Sequence, residues 1–420
     1  MFEWNELDDL AVKTAKVLAA DAVEKAGHGH PGTAISLAPA AYLLFQKVMR
    51  HDPKDDRWVG RDRFILSAGH SSLTIYNQLF MAGYGLELED IEALRTWGSK
   101  TPGHPEFGHT HGVEITTGPL GQGIASATGF AMSARFEREL LDPNAKVGES
   151  VFDHHVYVIA GDGDVQEGVS AESASIAGHL GLGNLVVIYD ANQISIEDDT
   201  DISFTEDVAA RYRAYGWQTL EVDWRRGGNY NEDVAALYDA IQQAKANTDQ
   251  PTLITLRTII GWPSPSKQNT GKIHGSKLGA EELAGLKEAL GFDPAQSFEV
   301  SPDVIDHTRS LATRSAVVRS DWEQRFALWK SQNPENAALL ARLVAGELPA
   351  DLEAALPVFE AGTEIATRAA SGKVINAMQQ ETGADITIDD DGRVGIVSIG
   401  STNGAAVNEA RRRIELILDP

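Results

Sequence analysis

The segment VYVIAGDGDVQEG, residues 156–168, runs from an apolar, strand-like stretch into Gly161, Asp162 and Gly163 and then into a helical one. Glycines at such a junction permit a sharp turn and close approach of backbone to a phosphate, while the carboxylate between them is free to face a divalent cation. Alone, this is also the ordinary pattern of a strand-to-helix turn with an acid at the helix start. A second apolar stretch, NLVVIYDANQIS at 184–195, ends in Asp190, Ala191 and Asn192, and Asn192 follows Asp162 by thirty residues (192 − 162). That is about the length of a strand–helix–strand unit, so the two strand ends meet at one edge of a sheet. Oxygens from Asp162, the Asn192 side chain and the Ile194 carbonyl, completed by two phosphate oxygens and water, suit octahedral Mg2+.

Of the 12 histidines, four sit beside glycine in such blocks: His30, His70, His104 and His274. Imidazoles are the side chains suited to moving protons to and from hydroxyls near neutral pH. His28, His109, His111 and His179 read as surface or core residues. The segment TTGPLGQG, 116–123, sets a glycine-rich turn before an alanine-rich helix, which offers backbone donors to a phosphate. Its plainer reading is a helix cap.

These side chains must be held at strand ends. Apolar runs rich in Val and Ile, at Val156–Ala160, Leu185–Asp190 and Thr252–Arg257, read as buried parallel strands, with helices at Gly168–Leu182 and Val234–Ala246 crossing between them. The fold class is α/β, a doubly wound parallel sheet. The acidic stretch Glu197–Asp207 reads as a solvated loop. From Asn333 to Leu348 the chain is helical, and two prolines and a glycine in Leu348–Gly362 mark a domain boundary.

The 420 residues contain no Cys, which excludes disulfides, thiolate metal sites and Cys nucleophiles. A formal charge of −25, from 36 basic and 61 acidic residues, disfavours general attraction to nucleic acid or to anionic membrane. The N-terminus reads as an amphipathic helix with no apolar run of signal or membrane length. A cytoplasmic location follows as the expectation, with no membrane or nucleic-acid partner.

With these residues in hand, the chain resembles the transketolase family. Its blocks are KAGHGHPGTAISLAPA (25–40), DRFILSAGHSSLTIY (62–76), KTPGHPEFGHTHGVEITTGPLGQG (100–123) and RTIIGWPSPSKQNTGKIHGSKLG (257–279). The resemblance extends to about residue 377 and is nearest to actinobacterial members. It implies a thiamine-diphosphate-binding fold, thiamine diphosphate with Mg2+ (Ca2+ or Mn2+ as substitutes), sugar-phosphate substrates and a homodimer. The implied reaction moves a two-carbon ketol unit from a ketose phosphate to an aldose phosphate in the pentose phosphate pathway. By resemblance, His70 and His274 reach the cofactor diphosphate or the reacting carbons, and His30 and His104 bind substrate hydroxyls and carry protons. Gly118 and Leu120 line the cofactor, Gly161, Asp162, Gly163 and Asn192 hold its diphosphate and metal, and Glu167 lies near the dimer interface. Arg368 takes the position that holds the substrate phosphate.

Past Val358 the chain opens like the family's pyrimidine-binding domain and then departs from it. Residues from Gly372 onward resemble the later part of the KH domain of polynucleotide phosphorylase: a helix ending at ETG, strands ADITID and RVGIVSIG around a DDG turn, and a helix over Gly404–Leu418. The expected organisation is a diphosphate domain over 1–345, a linker with the start of a pyrimidine domain over 346–370, and a small α+β KH-like tail over 371–420. Without the family's activating glutamate in view, the expectation is a chain inactive by itself. Dihydroxyacetone synthase is an alternative within the chemistry, and the TTGPLGQG and GHGHPG blocks argue against deoxyxylulose phosphate synthase. A non-catalytic protein binding thiamine diphosphate or RNA is the alternative from another class.

Overall fold

The computed structural model describes residues 2–347, 352–382, 385–390 and 395–400. The chain divides into two compact units, Met1–Asn333 and Pro334–Pro420.

In the first unit five strands form one parallel sheet: β1 (Arg63–Leu66), β2 (Val156–Gly161), β3 (Leu185–Asp190), β4 (Gln218–Asp223) and β5 (Thr252–Arg257). Their spatial order is β1-β2-β3-β5-β4, and every pairing is parallel. Side chains alternate across each strand. Tyr157 and Ile159 therefore join one apolar layer with α1 (Glu6–Ala26) and α2 (Leu73–Ala82). Val156, Val158 and Ala160 join the opposite layer, with Ala127 and Ala131 of α3 (Gln122–Leu141) and Ala174 and Ala177 of α4 (Gly168–His179). Two covered faces make the doubly wound α/β sheet that the apolar runs imply.

The strands and helices read from sequence fall at those places, α5 (Val234–Ala246) included. Two strands have no such signal. β1 is four residues long, and β4 alternates Gln, Thr, Leu and Glu at the sheet edge, where only Val222 is fully buried. An edge strand solvated on one side lacks the continuous apolar run of its central neighbours.

Local chemistry starts the helices where it should. Asn5 caps α1 by accepting from the Leu7 and Asp8 amides, Asp8 reciprocates on the Asn5 amide, and Gly27 closes the helix in the left-handed region at φ 81°. Asp8 is then buried beneath Tyr42, Lys47 and His307, each within 2.9 Å, and these ties fix α1 in the core. In the acidic stretch, Glu197, Asp198, Asp199 and Asp201 are exposed, and Asp207 caps the next helix through the Ala210 amide. Gly69 and Gly123 are positions of close approach: a β-carbon on Gly69 would stand 2.9 Å from the Gly118 amide nitrogen, and one on Gly123 2.4 Å from the Ser67 Cα.

The second unit holds helices Pro334–Ala345 and Leu352–Ala355, then α6 (Thr367–Thr382) and an antiparallel pair, β6 (Asp385–Asp390) with β7 (Gly395–Gly400), in which Asp385 lies opposite Gly400. The helix and both strands read from the sequence of this region are therefore present. The DDG turn after Asp390 and the helix over 404–418 fall outside the described residues.

Candidate active site at the carboxyl ends of the strands

β2 and β3 are neighbours, with Gly161 opposite Asp190, so the loops that follow them emerge side by side. Asp162 opens the five-residue helix Asp162–Gln166 and is buried. Its Oδ1 accepts from the Tyr189 hydroxyl at 2.6 Å and its Oδ2 from the Gln193 amide at 2.7 Å. Gln193 adopts a left-handed backbone, φ 63°, which turns that amide onto Asp162. Asn192 is oriented at both ends: Oδ1 accepts from the Ile194 amide at 2.9 Å and Nδ2 donates to Asp190 at 2.8 Å. Asp190 itself is fully buried and accepts from Thr258 Oγ1 at 2.5 Å.

Burial pushes the Asp162 carboxyl up to about 6, against the lowering pull of Tyr189 and Gln193, and Asp199 raises it further. Burial likewise lifts Asp190 to about 7. Among the described residues no cationic side chain hydrogen-bonds either carboxylate, so their negative charge at the strand ends has no ion-pair partner there. Among the described residues no group of three or more His, Asp or Glu is placed to hold a metal ion. A hard cation here would draw on Asp162, the Asn192 amide oxygen and backbone carbonyls such as that of Ile194, with further oxygens supplied by a ligand, a donor set that suits Mg2+ or Ca2+.

Asp164, two residues on, ties three loops together. Its Oδ1 accepts from Ser67 Oγ at 2.7 Å and from the Gly121 amide at 2.8 Å, and its Oδ2 from the Gly161 amide at 2.9 Å. The ends of β1 and β2 and the start of α3 are thereby fixed around one buried carboxylate. Gly121 takes φ 78° at the head of α3, and a β-carbon there would stand 2.8 Å from Glu167 Cβ. Glu167 itself is exposed at the start of α4. Leu120 packs onto the bare face of Gly163, where a β-carbon would meet Leu120 Cδ1 at 2.8 Å. Gly118 faces His104, whose ring lies 3.5 Å from the position of an added β-carbon. The 116–123 loop thus covers the Gly-Asp-Gly turn.

Three of the four singled-out histidines form one cluster. Ring centroids are 5.0 Å apart for His30 and His70, 5.2 Å for His70 and His274, and 5.6 Å for His30 and His274. His104 is close enough to act electrostatically on His30 and His70, and its backbone carbonyl accepts from the Tyr76 hydroxyl at 3.2 Å. Burial lowers His70 to about 3 and His30 to about 4, and the neighbouring imidazoles and Arg95 lower both further. Burial and Arg95 also lower His104, and burial lowers His274. All four are neutral at pH 7 and able to donate and accept. The His274 ring meets the Ile194 backbone, and its Nδ1 is buried without a hydrogen-bond partner among the described residues, as is Thr117 Oγ1. Unpaired buried polar atoms at a loop edge mark places a ligand can satisfy.

The structure therefore brings together His30, His70, His104, Gly118, Leu120, Gly161, Asp162, Gly163, Asn192, Ile194 and His274 at one end of the sheet. Arg368 lies in the second unit, exposed on α6. Residues not evident in the sequence are Asp164, Asp190 and Arg95. For Asp164 a signal was present: it stands at the third helical position after Gly161, where a carboxylate turns back on the cap amide.

The family model described as "Transketolase, thiamine diphosphate binding domain" matches residues 7–349. A transketolase of Mycobacterium tuberculosis (strain CDC 1551 / Oshkosh) is 58% identical over 377 residues, covering 90% of this chain and 53% of that protein. One of Geobacillus stearothermophilus is 46% identical over 375 residues, with 89% and 55% covered. Among solved structures, Pichia stipitis transketolase in complex with sedoheptulose 7-phosphate superposes with a TM-score of 0.83 at 42% identity, covering 90% of this chain and 54% of that one. Transketolase from Leishmania mexicana gives 0.83 at 39% identity, with 90% and 55% covered. The chain thus spans about half the length of the relatives it matches. Strand-end geometry, histidine cluster and these matches agree: the chain belongs to the transketolase family and carries its thiamine diphosphate binding domain over residues 7–349.

Proposed function

We propose that this chain supplies the half of a transketolase site that grips thiamine diphosphate through a divalent cation and handles the hydroxyls of sugar-phosphate substrates. The observation that carries this reading is Asp162, a buried carboxylate with no cationic partner among the described residues, set beside Asn192 where two loops emerge from neighbouring strands. Against an acidic chain, a diphosphate needs a metal bridge to that carboxylate. Asp162, Asn192 and the Ile194 carbonyl are the protein ligands, and Mg2+ is the resident ion, with Ca2+ or Mn2+ as substitutes. When bound, the cofactor supplies an electron sink for breaking and making the bond next to a ketose carbonyl. The chain's own residues do the rest. Gly118, Leu120, Gly161 and Gly163 shape the diphosphate cradle, and His70 and His274 offer neutral donors there. His30 and His104 orient sugar hydroxyls and exchange protons with them.

Ketol transfer between ketose and aldose phosphates, in the pentose phosphate pathway and in the cytoplasm, is the activity to which this half-site belongs. Among the described residues no helix is long and apolar enough to cross a membrane. A homodimer suits Glu167 at the head of α4, and exposed apolar side chains follow on the same face of the fold, Met132 and Phe136 on α3 and Ile176 on α4. Arg368 is assigned to a substrate phosphate. Domain limits near 345 and 370 are retained, and residues 371–420 are assigned to a KH-like tail that does not bind RNA.

Isothermal calorimetry tests the reading directly. The wild-type chain should bind thiamine diphosphate with Mg2+ and lose that binding with a chelator. Asp162→Ala should weaken it by at least roughly 100-fold, more than loss of an outer-sphere partner costs. Metal-independent binding, or unchanged affinity in the variant, sinks the assignment.

A further inference from the structure

Arg95 is built into the histidine cluster in a way that the loop around it explains. It is one of five non-glycine residues in the left-handed region among the described residues, at φ 61°, and its amide donates to the Thr101 carbonyl at 2.9 Å. Thr101 is buried and anchored in turn, its hydroxyl donating to the Asp90 carbonyl at 2.6 Å. This backbone turn sends the guanidinium into a slot between two bare glycines. A β-carbon on Gly103 would stand 3.2 Å from Arg95 Cζ, and one on Gly29 would stand 3.6 Å from Nε. From the slot, one terminal nitrogen reaches His28 Nδ1 at 3.2 Å and the other reaches His30 Nδ1 at 3.5 Å.

The chemistry of that contact is one-directional. A guanidinium carries five N–H donors and no acceptor, and it stays protonated in proteins, so an imidazole nitrogen that faces it must be the unprotonated one. On His30 that nitrogen is Nδ1, and the single ring proton is then on Nε2. Nε2 points the other way, toward Gly275, where an added β-carbon would come within 3.2 Å of it. The ring also meets His70 and His274 edge-on. The positive charge of Arg95 disfavours a second proton on His30, in the same direction as the burial that holds the ring neutral.

We infer that Arg95 is a positioning residue that holds His30 in the neutral tautomer with the proton on Nε2, so that His30 offers a hydrogen-bond donor, and not an acceptor, to a sugar oxygen in the site. The inference rests on the reading above in which His30 faces substrate. His28 is held in the same tautomer by the second arm of the fork and acts as the brace that keeps the guanidinium in plane. A lysine cannot replace this arrangement, because one ammonium on a flexible stem does not span two imidazoles.

The test uses the full 420-residue chain with ring-15N histidine, read by long-range proton–nitrogen correlation near pH 7.5, with the His30 signal assigned from His30→Gln. In the wild-type chain His30 should appear as one neutral species whose unprotonated nitrogen is Nδ1. In Arg95→Met and Arg95→Lys the ratio of the two tautomers should move toward Nδ1–H by about ten-fold, the low end for a charge-assisted bond of this length. Guanidinium added to Arg95→Ala should restore the wild-type ratio. A proton on Nδ1 in the wild-type chain overturns the inference without any variant. So does an unchanged ratio in Arg95→Lys with wild-type far-ultraviolet circular dichroism. Thiamine diphosphate binding measured on the same samples separates the two readings: lost binding with the wild-type tautomer intact would count against the functional proposal and leave this one standing.

Discussion

Gly161 lies directly opposite Asp190 in the β2–β3 ladder, and through that register Asp162 and Asn192 leave the sheet on adjacent loops. The same register brings two buried carboxylates, Asp162 and Asp190, near one another, and the charge of Asp162 adds to the burial that raises Asp190. Such a site is electrostatically expensive for the bare chain and is relieved by a cation.

Asp162→Asn should accordingly stabilise the chain in the absence of metal and cofactor. The folded carboxyl, near 6, lies above its ordinary value near 4, so its ionisation opposes folding as pH rises through that interval and fully so above it. An amide keeps the shape and still pairs with the Gln193 amide and the Tyr189 hydroxyl. Thermal melts should show a gain of about 1–2 kcal/mol at pH 8 and none at pH 4; no gain at pH 8 would show that the buried charge is already compensated.

The histidine cluster predicts acid sensitivity of the opposite kind. His70 and His30 have folded values near 3 and 4, below the unfolded value of about 6.5, so the unfolded chain takes up protons first. Their effect on stability is absent above about 6.5 and grows as pH falls toward the folded values. At pH 4.5 His70 alone should cost about 2–3 kcal/mol. Denaturant midpoints across pH 7.5 to 4.5 should fall less steeply in His70→Gln, and parallel curves for the two proteins would refute the account.

Asp164→Ala should lower stability by about 3 kcal/mol, since it strands the Gly121 and Gly161 amides and the Ser67 hydroxyl together. Urea unfolding reads this directly. A loss under 1 kcal/mol would mean that the three loops hold their places without the carboxylate.

Single-stranded RNA should bind this chain no better than it binds other acidic proteins. A KH domain clamps the nucleic-acid backbone with a Gly-x-x-Gly loop, whereas the matching residues here, Ala369, Ala370, Ser371 and Gly372, lie inside α6. With a net charge of −25 added, fluorescence anisotropy should find no salt-sensitive association at submicromolar concentration. A tight, salt-dependent isotherm would reverse this prediction.

The central strands and the Gly161–Gly163 turn beside Asn192 were legible because each is encoded locally: an apolar run, then turn residues, then a polar side chain at the strand end. β1 and β4 were not, since an edge strand can be short and half polar and still be held by one neighbour. Arg95 escaped for a different reason. Its partners His28 and His30 lie more than sixty positions away, and the left-handed turn that aims it has no glycine or asparagine to announce it. Asp164 was half legible: its bond to Gly161 is a local capping pattern, but those to Gly121 and Ser67 exist only once α3 has docked.

β2 contributes alternate side chains to both apolar layers and ends one residue before Asp162. Motion that opens the cradle must therefore disturb both layers at once, because the strand cannot swing away from either helix face separately. The Gly121 and Gly161 amides, closed onto Asp164, should then exchange with deuterium only through unfolding of the whole unit, at rates matching those of the β2 interior and far slower than those of the exposed 197–207 loop.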